Sequence, residues 1–287
     1  MRNMGTVPPM IWAFGPAIHN PKSEIEEGRL TMGYNLISFE KKDKSARITL
    51  NAPPSNWLTI AMMKEINDAL YEVKKDASLQ MLIFDHAGDK AFCDGAAVED
   101  HVEDKVDEMI ETFHRMFRIM VDMDVLTVCL VNGRSLGGGC ELMSFCDIVI
   151  ASEKAKIGQP EIAVGVFPPV AAAWFPKIIG LKKTYELLLT GKIISAKEAE
   201  AIGLVNVVLP VENFKEAADK FLADFLNKSR PVAMWTKRAI NAGLSLGFQE
   251  ALKASEMIYL KDCMATDDAK EGITAFLEKR KAVWKDK

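Results

Sequence analysis

The chain has 287 residues, 49% of them hydrophobic, and a formal net charge of −4 with its basic residues scattered along it. Such a length and apolar content suit one substantial core and exclude a chain that is disordered throughout. The charge balance removes the general electrostatic case for nucleic acid or an anionic membrane surface as a partner.

The first thirty-odd residues stand apart. PPMIWAFGPAIHNP is apolar but broken by prolines, with no basic block before it and no small-residue cleavage site. It is too short to span a bilayer and a poor secretory signal. It reads as an irregular extension, either an arm packed on a neighbour or sequence ahead of a start at Met32. From Tyr34 the pattern becomes regular. NLISFEK and ARITLN read as paired strands across a polar KKDKS turn, and MMKEINDALYEVKKD as a helix. MLIFDH has the length of a buried strand, DEMIETFHRMFRIMVDM reads as a second amphipathic helix, and LTVCLVNG as another buried strand. A glycine turn, a helix from Glu141 and the strand DIVIAS follow. Strands alternating with helices imply crossovers and a largely parallel α/β sheet. After Leu209 the strand signal stops, and ENFKEAADKFLADFLNK, VAMWTKRAINAGL, FQEALKASEMIYLKDCM and DDAKEGITAFLEKRKAVW read as helices. A helical tail of this kind suits packing on a partner subunit. No run approaches transmembrane length.

The stretch Ser135–Pro168 carries the chemistry. SLGGGCEL sets three glycines and Glu141 at a helix start, and IGQPEIAVGVFP delivers Glu161 some twenty residues later. Bare N–H groups at a glycine-rich helix start attract developing negative charge. KAFCDGAAVED stands in the same relation to MLIFDH as SLGGGCEL does to LTVCLVNG, so two turns at one sheet edge can aim two amides at one oxygen. Ala96 and Gly138 are the candidates. Taken singly, the glycines are explained by tight packing or positive φ, and Glu141 or Glu161 by a helix-start dipole. Two acids beside two such turns, in the apolar company of Leu142, Met143, Ile162, Val164, Val166 and Phe167, point instead to acid–base work at raised pKa.

Other chemistries find less support. The four histidines, His19, His86, His101 and His114, are far apart, and no Cys/His cluster has metal-ligand spacing. His101 in AVEDHVED reads as either a solvated helix-start residue or a pocket residue. There is no GxSxG elbow and no GxxxxGK[ST] loop. The five cysteines, Cys93, Cys129, Cys140, Cys146 and Cys263, show no paired spacing and suit reduced thiols in a cytoplasmic protein. Lys279, Arg280, Lys281 and Lys285 after Phe276 either meet phosphates or form a solvated face on a helix end.

With KAFCDGAAVED, NGRSLGGGCELMSFCDIVIAS, KIGQPEIAVGVFP, LLLTGKIISAKEAEAIGLVNVV and AFLEKRKAVWKD in this order, the chain resembles the crotonase (enoyl-CoA hydratase/isomerase) superfamily from about Asn35 to Lys287. The resemblance implies a crotonase-like ββα spiral core over residues 35–225 and a C-terminal helical section over 226–287, with 1–34 as the irregular extension. It implies a homotrimer or a homohexamer of paired trimers. It further implies an acyl-CoA thioester substrate, no cofactor beyond the coenzyme A that the substrate carries, and no nucleic-acid or membrane partner. The oxyanion amides would be those of Ala96 and Gly138, and the hydratase glutamates Glu141 and Glu161. Glu141 is read as base and Glu161 as acid, with the converse open. Phe276 and Lys279 would contact the CoA nucleotide.

Two departures shape the expected acyl pocket. GAAV stands where ordinary hydratases have GADI, and FPPVAAAWFP replaces a glycine-rich PGAGG stretch, bringing Trp174 and Phe167 toward the substrate. With AVEDH, GQPEIAVGVFPPVAA and AFLEKRKAVW, these variants are most similar to the branch that hydrates cyclohexa-1,5-diene-1-carbonyl-CoA to the 6-hydroxycyclohex-1-ene product in anaerobic benzoyl-CoA degradation. A short-chain linear enoyl-CoA hydratase shares every catalytic residue, and isomerase or hydrolase activity usually needs another arrangement of acids. A non-catalytic RNA-binding or scaffold use of the fold would sit poorly with two retained glutamates and a negative net charge.

Overall fold

The computed structural model describes residues 23–26 and 29–287, and PPMIWAFGPAIHNP lies outside them. The first described elements are two short strands, β1 (Ser23–Glu26) and β2 (Arg29–Met32), paired antiparallel. β2 pairs in turn with β3 (Ile37–Lys42), so this part of the expected irregular extension is drawn into the sheet. β3 and β4 (Ser45–Leu50) form the expected hairpin, with Asp43 at φ 51° in its tight turn.

The body is then built by repetition. A long strand enters one sheet, the chain turns a corner into a three-residue strand of a second sheet, and a helix or short 3-10 turn leads back. Helix α1 (Ile60–Lys75) opens with Thr59 accepting from Met62 N–H and closes with Lys74 and Lys75 at its carbonyl end. β5 (Met81–His86) and β6 (Ala91–Cys93) precede α2 (Val106–Val121). β7 (Leu126–Val131) and β8 (Arg134–Leu136) precede α3 (Gly138–Phe145). β9 (Ile148–Ser152) and β10 (Lys156–Gly158) lead through the 3-10 turn Pro160–Val164 to α4 (Pro169–Ile178) and α5 (Gly180–Thr190). β11 (Ile193–Ser195) and α6 (Ala196–Ala201) share a capping box between Ser195 and Glu198, and β12 (Val207–Leu209) ends the strands.

The large sheet has the order β1-β2-β3-β4-β5-β7-β9-β12, parallel from β4 onward, and the small one β11-β10-β8-β6. Every residue of β5 is buried because both faces of the large sheet are covered. One face meets α1, α2 and the small sheet around Ile48, Leu82, Phe84 and Met116. The other packs Met81, Ile83, Val128, Leu130 and Ile150 against Phe214, Ala218 and Leu222 of α7 (Phe214–Leu226). The architecture is the expected α/β, crotonase-like one.

The tail is helical, as its pattern required: α8 (Arg230–Gly243), α9 (Phe248–Met257) and α10 (Asp267–Leu277). The last helix ends well before Trp284. Lys279 adopts φ 55°, and Arg280 then turns back to bond Glu271 at 2.6 and 2.9 Å. Trp284 packs beside Gly272 and donates to Asn227 O at 3.1 Å, so this ion pair and indole hold the chain end down as an extended strap. Among the described residues no helix is long and apolar enough to cross a membrane.

Candidate active site

Both glycine-bearing turns leave the small sheet, not the large one. β6 and β8 are parallel neighbours, and β6 runs into Asp94–Gly95–Ala96 while β8 runs into Gly137–Gly138. The alternation of long strands and helices pointed to MLIFDH and LTVCLVNG because three-residue strands leave almost no periodic signal. Arg134 on β8 holds the two turns together, donating to both oxygens of Asp94 at 2.8 and 2.6 Å.

Two glycines here are dictated by geometry. Gly137 sits at φ 51°, and a Cβ on it would stand 3.0 Å from Glu161 Oε1. A Cβ on Gly139 would lie 2.4 Å from Cys93 O, so only glycine lets the first turn of α3 rest on β6. The helix accordingly starts at Gly138, three residues before the expected Glu141. A Cβ on Gly138 would meet Ala96 N at 3.2 Å and Phe113 Cζ at 3.2 Å, which sets the Ala96 and Gly138 amides side by side beneath an aromatic edge. Gly138, as the first helical residue, has no intrahelical acceptor for its N–H. The bridge to Leu58 uses the Gly95 carbonyl and the Ala97 N–H, and passes over the N–H of Ala96.

The two acids flank this pair. Glu141, in the first turn of α3, is 2% exposed, and its Oε1 accepts from Ala171 N–H at 2.8 Å, in the first turn of α4. Burial pushes its carboxyl up to about 8, against the pull of the Ala171 and Val170 amides and with help from the charge of Glu161. Glu161 lies on the 3-10 turn, and burial pushes it up to about 7 against a hydrogen bond from its own backbone. Of the six predicted apolar companions only two lie inside. Leu142 and Met143 are buried, but Ile162, Val164, Val166 and Phe167 face outward. Glu161 is instead desolvated from its inner side, against Gly137 and the buried Gln159.

Gln159 is the site residue that the sequence did not single out. It is 1% exposed, and with its amide nitrogen turned toward acceptors it donates to Glu161 Oε1 at 2.9 Å and to Gly137 O at 3.2 Å. A neutral side chain just before a proline and an acid carries little signal of its own. Near neutral pH the two carboxyls hold about one proton between them, beside two unfilled amide donors. Such a set can give and take protons while an adjacent oxygen gains negative charge.

The remaining expected residues divide. Trp174 is half-buried on α4, donates from Nε1 to Ser144 O at 2.8 Å and packs on Phe145 at 5.0 Å. Phe145 meets Phe117 at 5.1 Å and Phe117 meets Phe113 at 5.0 Å, both edge-on, so an aromatic row runs from Gly138 to Trp174. Phe167 is not part of it: it precedes the prolines that start α4 and is 67% exposed. Phe276, 82% exposed, and Lys279 lie at the end of α10, which packs chiefly on α8 and the Cys263–Ala265 turn. The chain does not fold them against the glutamates. His101 is exposed, with Nδ1 at 2.9 Å from Ala97 O. Cys93, Cys129, Cys140 and Cys146 are buried free thiols. Among the described residues no cluster of three His, Cys, Asp or Glu is arranged to hold a metal ion.

Comparison with known proteins agrees with this geometry. The family model for enoyl-CoA hydratase/isomerase matches residues 40–287. A crotonyl-CoA hydratase of Syntrophomonas wolfei is 36% identical over 256 residues, covering 88% of this chain and 98% of that protein. A cyclohexa-1,5-dienecarbonyl-CoA hydratase of Thauera aromatica is 32% identical over 252 residues, covering 88% of this chain and 96% of that protein. The crystal structure of an enoyl-CoA hydratase from Bacillus anthracis superposes with a TM-score of 0.84 at 29% identity, covering 88% of this chain and all of that one. On this extent of match, the chain belongs to the enoyl-CoA hydratase/isomerase family of enzymes.

Proposed function

We propose that this enzyme is a hydro-lyase that adds water to a conjugated double bond of an acyl-CoA thioester. The observation that carries the reading is the convergence of the buried carboxyl of Glu141 and the half-buried one of Glu161 on two unfilled amides, Ala96 and Gly138. The thioester oxygen lies between those amides. One carboxylate takes a proton as water attacks the β carbon, and the negative charge that passes to the thioester oxygen is held by the two N–H groups. The other carboxyl delivers a proton to the resulting enolate, so the pair ends the cycle with the proton count it began with.

For the acyl group we propose a cyclic dienoyl thioester, cyclohexa-1,5-diene-1-carbonyl-CoA. Attack at its β carbon gives a dienolate, and protonation at the far end of that dienolate leaves the 6-hydroxycyclohex-1-ene thioester. The aromatic row ending in Trp174, and the 32% identity to a relative named for this substrate, support it. A linear short-chain substrate is the second reading, favoured by the 36% identity to a crotonyl-CoA hydratase. Phe276 and Lys279 stand away from the glutamates of their own chain, which suits a homotrimer or paired trimers in which they serve the CoA nucleotide of a neighbouring site. Coenzyme A enters with the substrate, and no separate cofactor is invoked. The buried free thiols suit a reducing cytoplasm.

The test is kcat/KM for hydration of cyclohexa-1,5-diene-1-carbonyl-CoA against crotonyl-CoA. A strong preference for the ring upholds the dienoyl assignment. A preference for crotonyl-CoA replaces it with the linear one, and hydration of no enoyl-CoA overturns the reading.

A further inference from the structure

The two helices that hold Glu141 meet at more than one point. α3 and α4 are pinned together twice. Ala171 N–H donates to Glu141 Oε1 at 2.8 Å, and Trp174 Nε1–H donates to Ser144 O at 2.8 Å. On each helix the second partner lies three residues after the first, so Trp174 stands about 5 Å further along the same helix pair. Its indole is fixed on its other side by Phe145, at the end of the aromatic row that begins against Gly138.

Phe117, Phe145, Val170 and Trp174 also line a cavity of about 1430 Å³, together with Ile240 and Ile273 of the C-terminal helices and the charged side chains of Arg118, Lys177 and Arg230. Val170 lies next to both: its backbone amide helps hold down the Glu141 pKa, and the residue also lines the cavity. The cavity exceeds the roughly 300–1,000 Å³ that holds a drug-sized ligand, so it has room for an acyl tail.

We propose that Trp174 is a specificity-determining residue that closes the acyl end of the Glu141 site against this cavity. Held by the Ser144 carbonyl and the Phe145 ring, it confines the acyl group to a ring or a short chain. With the indole gone, the occupant of the part of the cavity beside Val170 is a long saturated acyl tail, since Phe117, Phe145, Val170, Ile240 and Ile273 line it. The inference rests on the reading of the site as an acyl-CoA site. It does not depend on which acyl-CoA is hydrated.

Saturated acyl-CoAs test it by binding alone, so turnover does not enter. Each methylene that becomes buried is worth roughly fourfold in affinity. Calorimetric Kd values for the butyryl-to-dodecanoyl series on the full-length wild-type enzyme should stop improving beyond about six carbons. In Trp174→Ala the dodecanoyl-to-butyryl affinity ratio should rise by at least about tenfold, and Trp174→Phe, which keeps a ring, should hold the wild-type ratio. A wild-type series that keeps tightening through dodecanoyl-CoA overturns the proposal whether or not the alanine variant folds. So does an unchanged ratio in a Trp174→Ala protein with a native melting transition, and so does failure to bind any acyl-CoA. An enzyme with the expected ratios that hydrates nothing keeps this inference and loses the hydratase reading.

Discussion

Glu141→Gln should stabilise the protein at high pH even as it disables the site. The Glu141 carboxyl moves from an ordinary 4.5 to about 8 on folding because burial disfavours its charged form. A group with a raised folded pKa contributes stability that is complete below the unfolded value and is lost as pH rises through the folded one. Here the window runs from about 4.5 to about 8. At 1.36 kcal/mol per pH unit, a separation of roughly 3.5 units sets a ceiling of about 5 kcal/mol. Relaxation and water entry reduce this to about 2–5 kcal/mol. Glutamine cannot ionise and retains the contribution. Its buried amide carries a desolvation cost of about 1–3 kcal/mol, but that cost does not vary with pH. The quantity to measure is therefore the stability difference between Glu141→Gln and wild type at pH 9, minus the same difference at pH 5. Urea unfolding at matched salt and protein concentration gives it, and since only the span from pH 5 to about 8 is sampled, the expected value is about +2 to +4 kcal/mol in favour of the variant. A value within about 0.5 kcal/mol of zero would show that Glu141 ionises in the normal carboxylate range, and the argument from its burial would fail.

Three further outcomes are expected. Glu161→Gln should lower kcat for enoyl-CoA hydration by about 10²–10⁴ while Kd for a saturated acyl-CoA moves only a few-fold, and near wild-type turnover would remove Glu161 from the chemistry. The pH profile of kcat/KM should be bell-shaped, with apparent values near 7 and 8 that belong to the pair, because the working form holds one proton on two carboxyls. A profile flat from pH 6 to 9 would contradict that. Gly139→Ala should destabilise the fold by about 1–3 kcal/mol in a urea titration, since its Cβ would stand 2.4 Å from Cys93 O, and an unchanged midpoint would mean that α3 shifts freely on β6.

The long elements were legible because their signals are strong. MLIFDH is β5 to the residue, and DEMIETFHRMFRIMVDM lies within two residues of α2 at either end. The small sheet was invisible, since three-residue strands show neither alternation nor length, and with it went the true origin of the two turns. Ala96, Gly138, Glu141 and Glu161 were nonetheless singled out together, because glycine-bearing turns and acids keep their spacing whichever strand precedes them. What failed was anything that depends on direction. Phe167 and its apolar neighbours face outward where a pocket was expected, and α10 stops at Leu277 because Arg280 finds Glu271 across a turn. Gln159 went unremarked because its importance lies in the single orientation that joins Glu161 to Gly137.

Neighbouring parallel strands stand about 4.8 Å apart whatever their side chains, and β6 and β8 carry the Ala96 and Gly138 turns. The separation of the two amides is thus inherited from the sheet lattice and fastened by Arg134 to Asp94, whereas Trp174 is carried by α4. Grip on the oxygen and tolerance of the acyl group are thereby assigned to different pieces of chain. Exchanges on the face of α4 that carries Trp174 can retune what is accepted as long as the Ala171 N–H stays on Glu141, so the scaffold can diversify its substrates one helix face at a time.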